Sequence, residues 1–322
     1  MNQRTILLLE VAHAYYENGY TQQEIAQMLG LSRSQVSRYL SEAREVGIVQ
    51  IRIVSPDARV NHAEDALKAR FPNLREAVVT PLFATQPTVV LKSIGRACAE
   101  YLCEHIAPGQ RVCIGSGRTL RETVRWLRPH PVENVTVVQA MGALGHEASD
   151  IDFNELARLA AQALGARVSY LNAPAVLGSG AAAELAAANP SIAESLRLAH
   201  SADVYVVGVG CPAVDHVYVR AGIVTAQELN AVEQHGAVGD ICGRFFDIQG
   251  RRCPSSFDDR VVGIELEDLR RALLSIGVAG GPAKVAPLLG ALRGGLVNVV
   301  VTDENTAQQV LDLADQSKSA DV

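Results

Sequence analysis

The sequence predicts an α/β protein, with an N-terminal three-helix helix-turn-helix domain followed by a Rossmann-like α/β domain. Residues 20–40 have the spacing of a helix-turn-helix. After residue 57, short β-branched runs alternate with helical stretches, which is typical of a parallel sheet covered on both faces. The Ser-Pro-Asp turn at 55–57 separates the two patterns, so we predict domains at 1–56 and 57–318.

The helix-turn-helix segment, YTQQEIAQMLGLSRSQVSRYL, carries its marker residues at Ala26, Gly30 and Val36. Ala26 is small where two helices approach, and Gly30 suits a turn because it adopts a positive φ without strain. Thr21, with Glu24, and Ser32 are suitable N-caps for the two helices. A helix over 3–18 supplies the third member of the domain. The apolar residues of that helix lie at helical spacing, at Ile6, Leu7, Val11, Ala14 and Tyr15. The predicted small core of the motif consists of Ile25, Ala26, Leu29, Leu31, Val36 and Leu40.

The outer side of the second helix is polar, and its side chains are of the kinds that bind base edges and phosphates in a major groove. We therefore predict DNA binding by this domain, the alternative being a three-helix scaffold that packs against another protein. The predicted DNA-binding residues are Thr21, Gln22, Ser32, Arg33, Ser34, Gln35, Ser37 and Arg38.

The net charge of the chain is −6, which at first argues against a nucleic-acid partner. Residues 1–56 contain five arginines and five glutamates, however, so the acidity lies in the rest of the chain. A neutral domain gains little non-specific affinity from counterion release. We therefore predict that one such domain binds weakly and that two or more act together on repeated half-sites.

Composition favours a soluble protein, since 48% of the 322 residues are hydrophobic and 20% are charged. No apolar run is long enough for a membrane span, and the N-terminus does not resemble a signal peptide, so we expect a cytoplasmic protein. None of the six cysteines forms a C-x-x-C pair or lies near histidines at metal-ligand spacing. We predict reduced, buried thiols rather than a redox sensor or a metal site, and no cofactor.

Alternating elements are predicted along the second domain. Strands are expected at 77–80, 112–115, 135–139, 167–171, 204–209, 275–279 and 297–302, after a short strand at 49–54. Helices are expected at 89–106, 119–128, 153–164, 181–188, 191–200, 225–234, 266–273, 282–292 and 304–314. Ligands of such sheets bind at the carboxyl ends of the strands, so the loops at those ends are the candidate sites.

The segment Ile114–Leu120 follows a strand and opens a helix. Its two glycines allow close approach of a ligand, and a helix N-terminus favours a phosphate. Ser116, Gly117, Arg118 and Thr119 are the candidate contacts. The alternative is a tight strand-to-helix turn without a ligand.

A second glycine-rich turn follows the strand at 204–209. Gly208 and Gly210 fit the loose form of a dinucleotide-binding fingerprint, but Pro212 interrupts the helix that should follow. Close approach of the backbone to a smaller ligand is the favoured interpretation.

Two further segments are dense in ionisable groups. Asp240 and Asp247, in 239–247, could accept hydrogen bonds from sugar hydroxyls, or one could act as a base; the alternative is a structural turn with an Arg244–Asp pair. Lys284 lies in the first turn of a helix begun by Pro282, against the helix dipole unless an anion is near. The alternative for Lys284 is an ordinary exposed lysine.

Several ordered segments resemble the SorC family of sugar-responsive bacterial transcription regulators. They are YYENGYTQQEIAQMLGLSRSQVSRYLSEAREVGIVQI in the N-terminal domain, then IGSGRTL, GAVGDICGRFFD, VVGIELEDLRR and VAGGPAKVAPLLGALRGGLVNVVVTDENTA in the second domain. The resemblance implies an effector domain folded like glucosamine-6-phosphate deaminase and ribose-5-phosphate isomerase. It also implies binding of sugars or phosphorylated sugars without catalysis, in homo-oligomers, with a tetramer favoured over a dimer.

By matching position, the resemblance implies that Ser116, Gly117, Arg118 and Thr119 hold a phosphate. It implies that Asp247 binds sugar hydroxyls, with Gln139 and the Gly208–Gly210 turn nearby. Lys284 would be a second contact for an anion or hydroxyl group.

Two functions from different classes follow. The first is a transcription regulator of a carbohydrate-metabolism operon, whose effector shifts the arrangement of DNA-binding heads through different affinity for two states. The second is a sugar-phosphate isomerase or deaminase with an attached head, which needs a positioned base. Asp240, Asp247 and Glu265 are the candidates for that base.

Overall fold

The computed structural model describes residues 3–49, 58–81, 86–144, 153–213 and 216–319. The chain divides into two compact units, Met1–Pro56 and Asp57–Val322. The predicted strand at 49–54 and the turn at 55–57 lie outside the described residues, apart from Val49.

The first unit, here called the head, contains helices α1 (Gln3–Tyr16), α2 (Gln22–Leu29) and α3 (Arg33–Glu45). Ile25, Ala26, Val36 and Leu40 are buried between the helices, as predicted. The apolar residues at helical spacing in α1 are not all buried. Ile6 and Tyr15 are 41% and 36% exposed, because α1 buries only a narrow stripe formed by Leu8, Val11, Ala12 and Ala14.

The second unit is built from alternating strands and helices. Its strands are β1 (Glu76–Thr80), β2 (Arg111–Ile114), β3 (Thr136–Gln139), β4 (Arg167–Ser169), β5 (Val204–Gly208), β6 (Ala237–Ile241), β7 (Arg244–Asp247), β8 (Leu274–Val278) and β9 (Val299–Asp303). Its helices are α4 (Ala58–Arg70), α5 (Pro87–His105), α6 (Arg118–Trp126), α7 (Phe153–Leu164), α8 (Gly180–Ala187), α9 (Pro190–His200), α10 (Val217–Arg220), α11 (Ala226–Gln234), α12 (Leu266–Arg271), α13 (Val285–Arg293) and α14 (Glu304–Ser319).

Seven of these strands form one parallel sheet in the order β1-β9-β8-β5-β2-β3-β4. Successive side chains of a strand point to opposite faces, and both faces are buried. Val204 and Val206 of β5 belong to one core cluster, while Tyr205 and Val207 belong to the other. The predicted α/β architecture with a sheet covered on both faces is confirmed.

Some elements of the second unit were not predicted from the sequence. They include helix α4, which precedes the first strand of the sheet, and the short helix α10. The glycine-rich segment around 239–247 forms a hairpin of β6 and β7. Its two-residue turn, Cys242–Gly243, has φ of 50° and 80°. Positive φ at both positions matches the right-handed twist of the flanking strands, which explains why a segment with so many turn residues still pairs.

Within the described part of the chain, no helix has the length and apolar character needed to cross a membrane.

Candidate functional site

The start of α3 presents polar side chains at the surface of the head. Arg33, Ser34, Ser37 and Arg38 are exposed, whereas Val36 and Tyr39 of the same helix are buried. The turn before α3 is tight, since Gly30 has φ 64° and the Leu31 N–H donates to the Ala26 carbonyl at 2.8 Å. This is the arrangement in which a second helix presents its first turns to a DNA major groove.

Three of the predicted DNA-binding side chains also cap helices. Thr21 accepts from the Glu24 N–H, and its own N–H donates to Glu24 at 2.7 Å. Its N–H and hydroxyl therefore lower the pKa of Glu24. Ser32 and Gln35 form the same reciprocal pair, with the Ser32 N–H donating to Gln35 Oε1 at 2.8 Å. This second capping box was not predicted from the sequence, although Ser-x-x-Gln is its signature.

The back of α3 is held by α1. The Arg4 guanidinium pairs with Glu42 through Nε and Nη2 and lies 4.5 Å from the ring centroid of Tyr39. These contacts leave the opposite, exposed face of α3 available to a partner.

The second candidate site lies where the order of the parallel sheet reverses. The next strands after β2 in the sheet, β3 and β4, lie on one side of the β2–β5 pair. The next strands after β5, β8 and β9, lie on the other side of it. A crevice forms outside the carboxyl ends of the two strands at such a switch point. Here the two ends carry the glycine-rich turns at Gly115–Gly117 and Gly208–Gly210, and we call the site the switch-point crevice.

The two turns lie against each other. The Gly115 N–H donates to the Val206 carbonyl at 2.9 Å, and a Cβ at Gly208 would lie 3.7 Å from the Ser116 carbonyl oxygen. Gly117, with φ 126°, is the N-cap of α6, and no side chain caps that helix within the described residues. The first turn of α6 contains Arg118 but no acidic residue. The unpaired N–H groups and the basic side chain together favour an anion at this end.

Asp240, in the β6–β7 hairpin, lies against the second of these glycine-rich turns. The Gly210 N–H donates to the Asp240 carbonyl at 2.8 Å. A Cβ at Gly210 would lie only 1.7 Å from Asp240 Oδ1, so any other residue there would collide with the carboxylate. This contact gives a steric reason for glycine at position 210.

The Asp240 carboxylate is buried and held by two donors. His216 Nε2 lies 3.2 Å from Oδ1, and the Gly243 N–H donates to Oδ2 at 3.2 Å. Because His216 Nδ1 accepts from the Tyr218 N–H, Nε2 carries the proton and donates to Asp240. Burial alone would raise the pKa of Asp240, but His216, the charge of Lys284 and the Gly243 N–H outweigh burial and lower it. Asp240 is therefore a fixed anionic acceptor at neutral pH.

Lys284 lies in a 3-10 turn at Pro282–Lys284, between β8 and α13. Its backbone N–H donates to the Gly281 carbonyl at 2.9 Å. Since its charge acts on Asp240, the ammonium group is within electrostatic reach of the switch-point crevice.

Two predicted effector-binding residues have their polar groups engaged within the protein. Gln139 is 2% exposed; its Oε1 accepts from the Leu171 N–H and its Nε2 donates to Asn154, both at 2.8 Å. Asp247 Oδ1 accepts from the N–H groups of Gln249 and Arg251, and Oδ2 pairs with Arg251 Nε at 2.8 Å. The Gln139 contact with Leu171 supports the loop after β4, and the Asp247 contacts support the turn after β7.

The remaining candidate base, Glu265, belongs to a network of ion pairs. Glu265 Oε1 lies 2.6 Å from Nη2 of the buried Arg244, and Oε2 lies 3.4 Å from Arg252. Arg244 also donates to the carbonyls of Val261 and Ile264, so it joins the hairpin to the start of α12. The sequence alternative placed Arg244 in a turn beside an aspartate of its own segment, but Arg244 instead pairs with Glu265 and, at 3.6 Å, with Asp258.

The six cysteines all lie within the described residues and form no disulfide bond there. Cys242 Sγ lies 3.4 Å from the Cβ position of Gly115, at the base of the switch-point crevice. Burial raises the pKa of Cys242 to about 12, so this thiol is protonated and unreactive at neutral pH.

Sequence reasoning missed His216 as the partner of Asp240. The contact joins positions that are 24 residues apart, and the single histidine carries no motif. The glycine at position 210 was the available signal, because a strand-end glycine often marks a close approach of another group.

Comparison with known proteins extends over nearly the whole chain. Residues 56–312 match a family described as "Putative sugar-binding domain", and residues 5–59 match "Crp-like helix-turn-helix domain". The chain is 33% identical over 309 residues to the deoxyribonucleoside regulator of Bacillus subtilis (strain 168), covering 95% of this chain and 97% of the relative. It is 31% identical over 317 residues to the sorbitol operon regulator of Klebsiella pneumoniae, covering 95% and 97%. The crystal structure of that full-length regulator, SorC, superposes with a TM-score of 0.78 at 30% identity, covering 97% of this chain and all of the other.

The fold, the head and these relatives define a transcription regulator that joins a helix-turn-helix domain to a sugar-binding domain. The chain belongs to the SorC family. Its relatives are regulators and not enzymes, which confirms the regulator interpretation over the isomerase or deaminase alternative.

Proposed function

We propose that this protein is a cytoplasmic regulator of a carbohydrate-metabolism operon, controlled by a sugar, a polyol or one of their phosphates bound in the switch-point crevice. The observation that carries the proposal is the pairing of an uncapped, glycine-rich helix start with a buried anionic carboxylate. The helix start favours a phosphate or another acceptor group of the ligand, and the carboxylate favours hydroxyl groups that donate hydrogen bonds. A phosphorylated sugar or polyol offers both kinds of group.

In this proposal the residues have separate roles. Ser116, Gly117, Arg118 and Thr119 hold the anionic end, and the Gly208–Gly210 turn allows the ligand to approach the backbone. Asp240 accepts hydrogen bonds from hydroxyl groups, and Lys284 is a second contact. We assign the hydroxyl contact to Asp240 rather than Asp247 because the Asp247 carboxylate already accepts three internal hydrogen bonds. Gln139 then supports the wall of the site through Leu171.

The head binds operator DNA in the proposed mechanism, through Gln22, Arg33, Ser34, Gln35, Ser37 and Arg38, with Thr21 and Ser32 fixing the helix starts. The five arginines and five glutamates of residues 1–56 cancel, so one head gains little affinity from phosphate charge alone. We infer that a homo-oligomer, with a tetramer favoured over a dimer, brings several heads to repeated half-sites.

The names of the relatives guide the choice of ligands. One is named for deoxyribonucleosides and another for sorbitol. A panel of 2-deoxyribose, sorbitol, related pentoses and hexoses, and the phosphates of each covers these chemistries. Isothermal titration of the panel into the wild-type protein selects the compound that binds most tightly.

Two aspartate variants test the assignment with that compound. Asp240→Asn should weaken binding by about ten- to a hundredfold, as expected for loss of charged hydrogen bonds. Asp247→Asn is the matched control and should change affinity by less than about threefold, since its partners lie in its own turn. Loss of binding in Asp247→Asn with wild-type binding in Asp240→Asn would contradict the assignment.

A further inference from the structure

The turn that carries Lys284 is held by two buried side chains from another element. Asp303 ends β9 and Thr306 lies in the first turn of α14, and they are 3% and 1% exposed. The Gly281 N–H donates to Thr306 Oγ1 at 2.8 Å and to Asp303 Oδ2 at 3.1 Å. The Thr306 hydroxyl in turn donates to Asp303 Oδ2 at 2.6 Å. One backbone N–H, one hydroxyl and one carboxylate therefore form a closed set of hydrogen bonds.

The turn also fits this pair sterically. A Cβ at Gly280 would lie 2.7 Å from Asp303 Oδ2, and Gly281 has φ 97°. Two successive glycines allow the backbone to lie directly on the carboxylate. The turn cannot move away from β9 without breaking two hydrogen bonds from the Gly281 N–H.

The position of Gly281 sets the position of Lys284. The Lys284 N–H donates to the Gly281 carbonyl and closes the 3-10 turn at Pro282–Lys284. Pro282 fixes its own φ, so little freedom remains between the two residues. Because the Gly281 N–H is already bound by the pair, this backbone donor does not serve a ligand, and Lys284 is the residue of the turn that we assign to ligand contact.

We propose that Asp303 and Thr306 are positioning residues for effector binding, which hold the Gly280–Lys284 turn so that the Lys284 ammonium meets the anionic group of the ligand in the switch-point crevice. The inference rests on the proposed function, in which Lys284 is a second contact for the effector. The simpler role for the pair is to cap α14, since the Thr306 N–H donates to Asp303 Oδ1 at 3.0 Å. If the pair positions Lys284, removing the Thr306 hydroxyl should weaken ligand binding only when Lys284 is present. If the pair only caps α14, removing the hydroxyl should lower stability and leave ligand affinity unchanged.

The variants Thr306→Val and Thr306→Ser separate the hydroxyl from the shape of the side chain. Valine keeps the volume but neither accepts from Gly281 nor donates to Asp303, whereas serine keeps both hydrogen bonds. The control is Ser275→Ala, because Ser275 is fully buried near the amino end of β8 and donates to the Leu296 carbonyl at 2.7 Å. It removes a buried hydrogen bond from the strand that leads to the turn, at the end remote from the turn.

The experiment is isothermal titration of inorganic phosphate into each full-length protein, with urea unfolding of the same samples to record stability. Thr306→Val should weaken phosphate binding by about three- to tenfold, the value of one or two hydrogen bonds. Thr306→Ser should restore wild-type affinity, and Ser275→Ala should lose stability while its phosphate affinity stays unchanged. In a Lys284→Met background, Thr306→Val should cause no further loss, because its effect passes through the lysine.

The possible failures are distinct. Wild-type protein that binds no phosphate would overturn the anion site of the proposed function and this inference with it. Phosphate binding that is equal in wild type and Thr306→Val, with lower stability in the variant, would reduce the pair to a helix cap. Additive losses for Thr306→Val and Lys284→Met would also overturn the inference, since the pair would then act independently of the lysine.

Discussion

The Asp240 side chain is a carboxylate whose position as a hydrogen-bond acceptor is fixed by its neighbours. Both of its oxygens receive a hydrogen bond, and Gly210 leaves the space that Oδ1 occupies. Such fixed partners keep the charge in place before a ligand arrives, so binding requires little reorganisation. Asp247 carries the same functional group, but its donors come from its own turn.

Arg33, the exposed arginine at the start of α3, allows a direct test of DNA binding by this helix. Arg33→Ala should weaken binding to the specific operator by about 1–3 kcal/mol if the guanidinium contacts a base, and should leave effector affinity unchanged. Arg44→Ala is the control, since Arg44 lies in the last turn of the same helix and donates to Leu40 and Ser41. Fluorescence anisotropy with operator DNA measures both; equal losses in the two variants would contradict the placement of the recognition surface.

Gln35 is a poorer choice for this test. Its Oε1 accepts from the Ser32 N–H, so Gln35→Ala removes a helix cap worth about 1 kcal/mol as well as any contact with DNA. Residue types predicted this exposed polar face well. They did not separate capping from DNA contact, because serine and glutamine are suited to both.

At the scale of elements, α9 and α12 are joined by an ion pair on the second unit. His200 Nδ1 lies 2.7 Å from Asp268 Oδ2, and Asp268 also accepts from the Glu265 N–H at the start of α12. The hydrogen bond that His200 donates to Asp268 raises the pKa of His200. Burial would raise the pKa of Asp268, but its bonds with His200 and the Glu265 N–H lower it.

The signs of these shifts predict how stability depends on pH. The His200 contribution is fully present below the imidazole's unfolded pKa and is lost as pH rises through its raised folded pKa. The Asp268 contribution is present above its unfolded pKa and is lost as pH falls through its lowered folded pKa. His200→Gln should therefore lower the free energy of unfolding at pH 6 by less than about 1 kcal/mol, since solvent screens the half-exposed ring. Urea unfolding should show a smaller difference from wild type at pH 8.5; a larger difference there would contradict the assignment.

The elements of the parallel sheet could be predicted because both of its faces are buried, which makes each strand a short β-branched run. The β6–β7 hairpin was missed because Gly239 and Gly243 are turn residues in an isolated sequence. Their roles depend on distant partners, since a Cβ at Gly239 would strike Phe246 and Pro287. The site depends on this hairpin, so sequence patterns alone could not assign Asp240.

At the scale of the whole molecule, α14 connects the turn that carries Lys284 with the helix that follows the head in sequence. Its first turn contains Thr306, and near its other end the Ala314 carbonyl accepts from Arg70 Nη2 of α4 at 2.8 Å. Asp315 adds an ion pair with Arg70 at 3.3 Å. Coupling between sites needs an element whose two states both ligands influence, and we propose that α14 is that element.

Arg70→Met tests this connection. We expect effector affinity within about twofold of wild type but a smaller effect of effector on operator affinity, with a loss of about 0.5–2 kcal/mol of coupling free energy. Arg75→Met is the control, because Arg75 donates to the Leu273 carbonyl and does not contact α14 through a described hydrogen bond. Anisotropy titrations at zero and saturating effector give the coupling; wild-type coupling in Arg70→Met would show that α14 does not transmit the signal through this contact.

In the proposed mechanism, one chain binds operator DNA through the head and a sugar-type effector through the switch-point crevice, and the two binding events are linked. The decisive experiment titrates the protein into a labelled DNA fragment from upstream of its own gene, alone and with each compound of the sugar, polyol and sugar-phosphate panel. We expect saturable binding that one compound shifts by about 5–150-fold, and we expect that Asp240→Asn no longer responds to that compound. Specific DNA binding that no compound alters, or a response that survives in Asp240→Asn, would contradict this mechanism.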